Sequence, residues 1–303
     1  MQMIDFQDRV AIVTGAGGGL GESHAKLLAS RGAAVVVNDL GGTVTGEGGS
    51  SNAADRVVEE ITASGGVAVA EYSSVSTADG GSAIVQRAID EFGRVDVVIN
   101  NAGILRDKSF ANMATDDVED VIDVHLLGAF HVTIPAFSHM KEQGYGRIVL
   151  TSSGSGLFGN FGQTNYGAAK AGLVGLMNVL KLEGAKYDVK VNAIAPIALT
   201  RMTEELLGPM ADKFQPELVS PAVAYLASQD CSVTGDLWSV GGGSVSRVFI
   251  GLADGLFKHP DKEGPLTVED IANSLHTIRA EDDYIVPFSS QDEFAKLGPK
   301  LFE

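Results

Sequence analysis

Near its N-terminus the chain reads Val10-Ala11-Ile12-Val13-Thr14-Gly15-Ala16-Gly17-Gly18-Gly19-Leu20-Gly21. The first five of these residues predict a buried strand, and the residues after the glycines predict a helix. Glycines at such a junction let the backbone approach a pyrophosphate, and the start of the helix adds a favourable dipole. A glycine-rich hexad alone is a weak signal, but a strand before it and a helix after it are the context that dinucleotide binding requires. The residues expected to hold a dinucleotide here are Gly15, Gly19, Leu20 and Gly21.

Beyond this junction, short β-rich runs alternate with segments of helical length. Such alternation predicts right-handed βαβ units and an α/β fold of the Rossmann type, a doubly wound parallel sheet with helices on both faces. The predicted strands are Val10 to Thr14, Ala34 to Asn38, Val67 to Glu71, Val95 to Asn100, Ile148 to Thr151, Val189 to Ile194 and Leu237 to Val240. The predicted helices include Asn52 to Ser64, Ala78 to Phe92, Asp116 to Met140 and Thr164 to Lys186.

The length of 303 residues suits a single domain over residues 1–246 with a C-terminal extension over residues 247–303. The extension carries more proline and charge, and it holds one helical pattern, Val268 to Arg279, with Thr267 as its N-cap. In the main domain the helix Thr164 to Lys186 is rich in glycine and alanine, which indicates that another backbone approaches it closely. A subunit contact is favoured there over packing within one chain, so we expect a homodimer or homotetramer.

Composition narrows the classes of partner and compartment. With 22 basic and 39 acidic residues the net charge is −17, which argues against binding of nucleic acid or of an anionic membrane surface. A single cysteine, Cys231, suits a reducing compartment. We find no apolar stretch of transmembrane length, no secretory signal and no Ser-Lys-Leu ending, so the expected location is cytoplasmic. The six histidines show no metal-ligand spacing with the cysteine, and no metal is expected.

A candidate proton-transfer set lies in the second half of the main domain. Tyr166 is the only one of six tyrosines with a lysine, Lys170, four residues later, and on a helix that spacing places both side chains on one face. A free tyrosine ionises at about pH 10, but a nearby positive charge favours the phenolate and lowers that pKa. Ser153, which follows a strand-like run, supplies a hydroxyl for a substrate oxygen. A lone Tyr-x-x-x-Lys is usually an exposed helical pair, so the prediction depends on the rest of the chain.

Asp39 ends the second predicted strand, eighteen residues after Gly21. A carboxylate at this place can accept hydrogen bonds from the two hydroxyls of the adenosine ribose, and it would repel a 2′-phosphate. The sequence shows no arginine in the glycine turn or beside Asp39 to offset that repulsion. NAD is therefore the expected cofactor rather than NADP. The alternative is that Asp39 only caps a turn before the glycine-rich insert Gly41 to Ser51, which is either a flexible loop or an edge of the cofactor site.

These features together resemble the short-chain dehydrogenase/reductases over residues 5–245. The resemblance is carried by Thr14-Gly-x-x-x-Gly-x-Gly21, Asn100-Asn101-Ala102-Gly103, Ser153 and Tyr166-x-x-x-Lys170. A narrower group, the dehydrogenase part of peroxisomal multifunctional enzyme type 2 (similar to 17β-hydroxysteroid dehydrogenase type 4), is also similar to this chain. That likeness is carried by Asn38-Asp39-Leu40-Gly41-Gly42, Ile104-Leu105-Arg106-Asp107 and Gly159-Asn160-Phe161-Gly162-Gln163. It implies NAD-dependent oxidation of a (3R)-3-hydroxyacyl-CoA.

The resemblance also implies positions for cofactor and substrate. The implied cofactor contacts are Ser74 and Val75 beside the adenine, Asn101, Ala102 and Gly103 along the cleft, Ala198, Thr200 and Arg201 over the nicotinamide, and Tyr166 with Lys170 at the ribose. The implied substrate contacts are Ser153, Tyr166, Phe161 and Gln163.

Two departures from the superfamily concern catalysis. An asparagine usually stands before Leu-x-Gly and helps to hold a water beside the lysine, whereas this chain has His125. The proton exit route is thus open to question, and His125 joins Ser153, Tyr166, Lys170 and Asn101 as an expected catalytic residue. The usual Pro-Gly after the sixth strand reads Pro196-Ile197 here, which is expected to alter the loop over the nicotinamide.

The sequence leaves three functions open. The first is a 3-hydroxyacyl-CoA dehydrogenase, for which Arg106 and Lys108 are candidate contacts to the CoA phosphates, although a solvated surface pair explains them equally well. The second is a hydroxysteroid dehydrogenase on a free alcohol, and the third is a non-catalytic protein that senses NAD. The intact Ser153, Tyr166 and Lys170 weigh against the third. Asp39 weighs against an NADPH-dependent ketoacyl reductase.

Overall fold

A computed structural model describes residues 3–200 and 208–302 of the chain. The polypeptide forms two compact units, Met1–Arg247 and Val248–Glu303. This division falls one residue after the boundary that the change in composition indicates. The sequence change at the boundary is from alternating apolar runs, which can bury a core, to a segment in which charge and proline interrupt such runs.

The first unit is built on an eight-stranded sheet in the order β3-β2-β1-β4-β5-β6-β7-β8. The strands are β1 Val10–Thr14, β2 Ala34–Asn38, β3 Val67–Glu71, β4 Val97–Asn100, β5 Gly146–Thr151, β6 Val189–Pro196, β7 Leu237–Gly241 and β8 Ser244–Val248. Neighbouring strands from β3 to β7 pair in parallel, and β8 follows β7 through the two-residue turn Gly242-Gly243. The α/β prediction of the Rossmann type is confirmed, and β8 is the strand that the sequence pattern did not indicate.

Helices cover both faces of this sheet. They are α1 Gly19–Ser30, α2 Asn52–Ala63, α3 Ala78–Phe92, α4 Thr115–Ile122, α5 Gly128–Gln143, α6 Gly154–Phe158, α7 Thr164–Gly184 and α8 Ser220–Ala227. Every residue of β1, β4 and β5 is buried, as expected for strands with helices on both sides. The chain crosses to opposite faces after β1 and after β4, which lie side by side, so a crevice opens at their carboxyl ends.

The helix predicted from Asp116 to Met140 is interrupted. Between α4 and α5 the backbone makes one π-helical turn, Asp123–Leu127. Single π turns are rare and often lie at functional sites because the extra residue changes the direction of a side chain. The periodicity of the sequence predicts a helix here but carries no signal for the extra residue.

The continuous helical segment Thr115–Gln143 is long and apolar enough to cross a membrane by composition, contrary to the sequence-based expectation that no stretch reaches that length. The buried residues of α5, such as Val132, Ala136 and Met140, fall on one face at the spacing of a helix that packs on a sheet. A core helix passes the same test of length and composition, so this segment is weak evidence for a membrane span.

Close packing of α3 on α5 depends on Gly81. A Cβ at this position would lie 2.4 Å from the backbone carbonyl of His131. We expect Gly81→Ala to lower the free energy of unfolding by about 1–3 kcal/mol, because the two helices must separate. Gly175→Ala in α7 is the matched control, since its Cβ would meet nothing within 4 Å. Chemical denaturation of both variants checks this, and equal stability of the two would contradict it.

Packing within the chain explains some of the glycines of α7, but not all of them. A Cβ at Gly172 would lie 2.9 Å from the Leu126 side chain of the π turn. Packing within one chain therefore accounts for this glycine, whereas Gly175 faces open space. Only part of the small-residue face of α7 is left for the subunit contact that the sequence favours.

The second unit contains β9 Leu252–Ala253 and β10 Tyr284–Ile285, which pair antiparallel. Its helices are α9 Pro260–Glu263, α10 Val268–Asn273, α11 Leu275–Ile278 and α12 Ser290–Phe302, where the sequence predicts one helix. Thr267 caps α10, as predicted, and its hydroxyl accepts a hydrogen bond from the amide of Asp270. Among the described residues of this unit no apolar side chain is buried.

Candidate active site

A cleft of about 750 Å³ opens at the carboxyl ends of the central strands. It collects residues that the sequence places far apart, because parallel strands end on one edge of the sheet. The expected site residues that line it are Gly15, Gly19, Leu20, Asp39, Ser74, Val75, Asn101, Ala102, Gly103, His125, Ser153, Gln163, Tyr166, Lys170, Ala198 and Thr200.

The glycine turn forms a cradle at one end of the cleft. Gly15 has a φ of +63°, and a Cβ there would lie 2.8 Å from Cα of Ala102, so this position needs glycine on both counts. Gly18, the residue before α1, provides no side-chain cap for the helix. The first-turn amides of α1 therefore face the cleft without a side-chain acceptor from that residue, as an anion site at a helix start requires. These features fit the pyrophosphate of a dinucleotide.

Asn101 holds the cradle against β4. Its side-chain amide donates to the carbonyls of Thr14 at 3.0 Å and Gly15 at 3.1 Å. The Thr14 hydroxyl in turn accepts from the backbone amides of Asn101 and Ala102 at 3.0 Å and 3.1 Å. Asn101 was expected among both the catalytic and the cofactor-binding residues. In the structure its amide group positions the glycine turn.

Asp39 stands beside the cradle, at the end of β2. One carboxylate oxygen accepts from the Gly17 amide and the other from the Gly41 amide, both at 2.7 Å. Arg56 of α2 also reaches the turn and donates to the Gly17 carbonyl at 3.1 Å, an approach by an arginine that the sequence did not indicate. Its guanidinium is paired with Glu22 at 2.5 Å and with Glu60, so its charge is already compensated.

Ser153, Tyr166 and Lys170 meet deeper in the cleft. Ser153 and Tyr166 both line it, and the Ser153 side chain lies near enough to the Tyr166 phenol to affect its pKa. Lys170 is buried, its amine lies 5.5 Å from the centre of the Tyr166 ring, and it donates to the carbonyl of Thr151 at 2.5 Å. The four-residue spacing on α7 therefore does place both side chains on one face. A substrate oxygen between the two hydroxyls would be within reach of both.

Burial raises the pKa of Tyr166, the polar side chain of Ser153 opposes that rise, and the charge of Asp107 adds to it. The expectation that Lys170 holds this pKa low is therefore wrong for this structure. The physical reason is that Lys170 is itself desolvated, which lowers its pKa to about 7. At neutral pH only part of the population carries the positive charge that would favour the phenolate.

His125 lies on the π turn and closes the floor of the cleft. Its Nε2 is 2.8 Å from the carbonyl oxygen and 3.0 Å from the amide nitrogen of Ile104. The imidazole contacts the Tyr166 ring edge-on, with ring centres 5.1 Å apart. Burial, with the nearby charge of Lys170, lowers the pKa of His125 well below its usual value, so the ring is neutral. Its geometry is that of a support for Tyr166 and for the segment after β4.

Comparison with known proteins decides the family. The short chain dehydrogenase family matches residues 9–209, about two thirds of the chain. The chain is a short-chain dehydrogenase. It is 54% identical, over 89% of its length, to a short-chain type dehydrogenase/reductase of Mycobacterium tuberculosis, of which it covers 93%. It is also 48% identical, over 97% of its length, to peroxisomal multifunctional enzyme A of Dictyostelium discoideum, of which it covers 65%.

Solved structures agree with this placement. Full-length peroxisomal multifunctional enzyme type 2 from Drosophila melanogaster superimposes with a TM-score of 0.82 and 36% identity, covering 99% of this chain and 50% of that one. A 7α-hydroxysteroid dehydrogenase complexed with NADH and 7-oxo glycochenodeoxycholic acid superimposes with a TM-score of 0.71 and 29% identity, over 80% of this chain and 96% of that one. This short-chain dehydrogenase is therefore an oxidoreductase of a family that uses a nicotinamide dinucleotide.

Two of the expected residues that the structure describes, Gly21 and Phe161, do not line the cleft of this dehydrogenase. Gly21 is buried behind the glycine turn, where a Cβ would lie 2.2 Å from the Gly15 carbonyl oxygen, so its role is to let α1 approach β1. Phe161, an expected substrate contact, is 89% exposed and is not among the residues that line the cleft, whereas Phe158 lines it. Arg201 lies outside the described residues.

The insert after β2 forms one edge of the cleft. Its residues Gly42, Thr43, Val44 and Gly46 line the cleft, and the Val44 carbonyl accepts from the Leu105 amide at 3.0 Å. Of the two interpretations of the insert, a cleft-edge role agrees with its position. Glycine content alone carries no signal for such a position, because mobile surface loops share the same composition.

Proposed function

We propose that this short-chain dehydrogenase oxidises a 3-hydroxyacyl-CoA, a (3R) fatty or steroid side-chain acyl thioester, to the 3-oxoacyl-CoA with NAD. The observation that carries the proposal is that the glycine cradle, Asp39 and the Ser153, Tyr166 and Lys170 set share one cleft. The names of two relatives, both peroxisomal multifunctional enzymes, support an acyl-CoA substrate of the β-oxidation type.

In the proposed reaction Ser153 holds the substrate oxygen and Tyr166 takes its proton. Lys170 supports the phenolate when protonated and binds the nicotinamide ribose. Bound NAD would supply the carbon that accepts the hydride. Residues of the cradle fix the dinucleotide, and the close approach of substrate and cofactor supplies much of the rate. His125 and Asn101 act as positioning residues, because each donates to or accepts from the backbone of the cleft.

NAD is proposed over NADP on the basis of Asp39. We expect Asp39→Asn, which keeps the size of the side chain and removes its charge, to raise the ratio of kcat/KM for NADP to that for NAD about 10- to 100-fold. Steady-state kinetics with both cofactors checks this. An unchanged ratio would show that Asp39 only caps the turn, and Arg56→Gln then tests whether the neighbouring guanidinium sets the preference.

For the CoA portion, Arg106 is the stronger of the two candidate bases. It lines the cleft, it pairs with Asp120 at 3.1 Å, and its Nε is buried without a partner among the described residues. Lys108 is outside the cleft lining and pairs with Asp117 at 2.6 Å. Phe158, 74% exposed at the mouth, offers an apolar surface to an acyl chain.

A second candidate is oxidation of a free steroid alcohol, such as a 17β-hydroxysteroid. The observation that favours it is the structural similarity to a hydroxysteroid dehydrogenase with a bound bile-acid derivative. The two candidates differ in their need for the thioester, because only the first uses a charged CoA group. A non-catalytic NAD sensor has no specific support in the structure.

The deciding experiment is NAD reduction with a panel of 3-hydroxyacyl-CoA chain lengths in both enantiomers, together with free steroid alcohols. We expect turnover with the (3R) thioesters. For the free steroid alcohols, which carry no CoA, we expect a kcat/KM at least tenfold lower. Turnover of free steroid alcohols at equal or higher efficiency would instead support the second candidate. No NADH formation with any member of the panel would refute both.

The second unit offers a surface for self-association. The second unit leaves many apolar side chains exposed, among them Val268, Phe294 and Phe302, and such surfaces are typical of subunit interfaces. We propose a homodimer or homotetramer, which light scattering at several concentrations tests.

We also propose a cytoplasmic location, although two relatives are peroxisomal by name; cell fractionation separates the two compartments.

A further inference from the structure

The insert after β2 connects the ends of two strands that are not neighbours in the sheet. It leaves the sheet at Asn38, the last residue of β2, and its Val44 carbonyl accepts a hydrogen bond at 3.0 Å from the amide of Leu105, which follows β4. Strand β1 lies between β2 and β4, and the glycine turn follows β1. The insert therefore spans the strand end that leads into the cradle. We call residues 42–49 of this insert the strap.

The tip of the strap is held together by its own hydrogen bonds. The Thr43 amide donates to the Glu47 carbonyl at 2.9 Å, and the Gly46 amide donates to the Thr43 carbonyl at 3.0 Å. The Glu47 amide also donates to the Thr43 hydroxyl at 3.1 Å. Three bonds within five residues make the tip a compact loop that can move as one body.

The base of the strap is narrow and rich in glycine. The Ser50 amide donates to the Leu40 carbonyl at 2.9 Å, so the two ends of the strap are fixed next to each other. Gly41 and Gly48, one on each side of the tip, have φ values of +74° and +75°. A Cβ at Gly41 would overlap the Ser50 carbonyl oxygen. The base therefore requires glycine, which also absorbs a change of backbone dihedrals at little cost.

In the part of the chain that the structure describes, few contacts hold the tip against the segment after β4. Besides the hydrogen bond to Leu105, the tip packs against Ile104, because a Cβ at Gly46 would lie 3.2 Å from two carbon atoms of that side chain. Val44 is half-buried, whereas residues 45–49 are exposed. A segment that buries so little apolar surface opens at a small cost in free energy.

We propose that the strap closes over a bound dinucleotide and has to open before the cofactor can leave. Strap residues line the same cleft as the glycine cradle, namely Gly42, Thr43, Val44 and Gly46. A cofactor held by the cradle would be enclosed between the sheet edge and the strap, so the opening of the strap limits its release. The inference rests on the proposed function only for NAD as the cofactor, and it holds for a thioester or an alcohol substrate alike.

Removal of the strap tests its effect on release. Replacing residues 42–49 by a two-residue Asn-Gly turn keeps the base, because the bond from Ser50 to Leu40 already brings the ends together. It also keeps the Gly41 amide that donates to Asp39. We expect the rate constant of NADH release, measured by stopped-flow fluorescence with excess NAD, to rise about tenfold or more. A rate constant within twofold of wild type in a variant of normal melting temperature would overturn the proposal.

A matched pair of point variants tests the docking of the tip without a deletion. Gly46 and Gly48 have φ values of +88° and +75°, and asparagine tolerates such a backbone better than other side chains. A side chain at position 46 meets Ile104, whereas a Cβ at position 48 meets nothing within 4 Å. We expect Gly46→Asn to release NADH about threefold faster or more, and Gly48→Asn to stay within twofold of wild type. Equal release rates for the two variants would contradict the docking that the proposal requires.

Hydrogen exchange of the full chain tests closure without any variant. We expect saturating NADH to slow the exchange of the Leu105 amide and of the strap amides at least about tenfold, because the bound cofactor keeps the strap closed. Exchange that is slow without cofactor and unchanged by it would show a fixed rim and overturn the proposal. If the chain binds NADPH and not NADH, the proposed cofactor is wrong, and the same measurements with NADPH still decide the role of the strap.

Discussion

Replacing Tyr166 by phenylalanine is expected to lower kcat by about 10²–10⁴-fold while NAD binding changes little. The phenolate of Tyr166 is the group that accepts the substrate proton, and phenylalanine keeps the ring that packs against His125. Ser153 and Lys170 alone offer no base in the right place, because Ser153 is a weak acid and the Lys170 amine donates to Thr151. Steady-state kinetics with the best thioester, together with NAD titration by fluorescence, measures both quantities.

Tyr225→Phe is the matched control for this variant. Tyr225 lies on α8 and stacks on Trp238, remote from the cleft lining, so loss of its hydroxyl should leave kcat within about twofold of wild type. A Tyr166→Phe enzyme that binds NAD and turns over normally would show that another group accepts the proton.

Gly21→Ala is expected to abolish measurable NAD binding, a loss of at least about 100-fold in affinity. The added Cβ would lie 2.2 Å from the Gly15 carbonyl oxygen and 2.6 Å from the Asn101 amide nitrogen. Neither neighbour can yield cheaply, because the first is backbone and the second holds the turn through two hydrogen bonds. Helix α1 must therefore move away from β1, which distorts the cradle.

Gly18→Ala is the matched control for Gly21→Ala: it also replaces a glycine of the turn, but the added Cβ causes no clash. Its backbone is extended, with φ of −174°, and a Cβ there would meet nothing within 4 Å. We expect this variant to keep the thermal stability of wild type, whereas Gly21→Ala melts at a lower temperature. Equal melting temperatures and equal NAD affinity for the two variants would contradict the packing argument.

Much of the sheet could be predicted from the sequence because buried parallel strands leave a strong pattern. The runs at Val10, Ala34 and Val67 begin and end where the structure has β1, β2 and β3. By contrast, the π turn at His125 was missed because one extra residue in a helix leaves the apolar periodicity nearly intact. In the second unit the predicted helix Val268 to Arg279 is divided into α10 and α11, and α9 and α12 were missed. The four residues of α9 are too few to show a period.

The positions of the candidate site were largely predictable, and their electrostatics were not. Spacing on α7 places Tyr166 and Lys170 on one face, and strand ends bring Ser153 and Asp39 to the same edge. The direction of the Tyr166 pKa depends on desolvation and on Asp107, which are three-dimensional properties. Phe161 was assigned to the substrate from its motif, but the turn exposes it and brings Phe158 to the cleft instead.

The most direct test measures whether the hydrogen on C3 of the substrate is transferred to NAD. A 3-hydroxyacyl-CoA that carries deuterium on C3 would be incubated with the enzyme and NAD, and the NADH would be analysed by mass spectrometry. The account predicts one deuterium in the NADH formed by wild type, and formation of the same labelled NADH about 10²–10⁴-fold more slowly with Tyr166→Phe. Unlabelled NADH, or release of the deuterium to water, would contradict hydride transfer in this cleft.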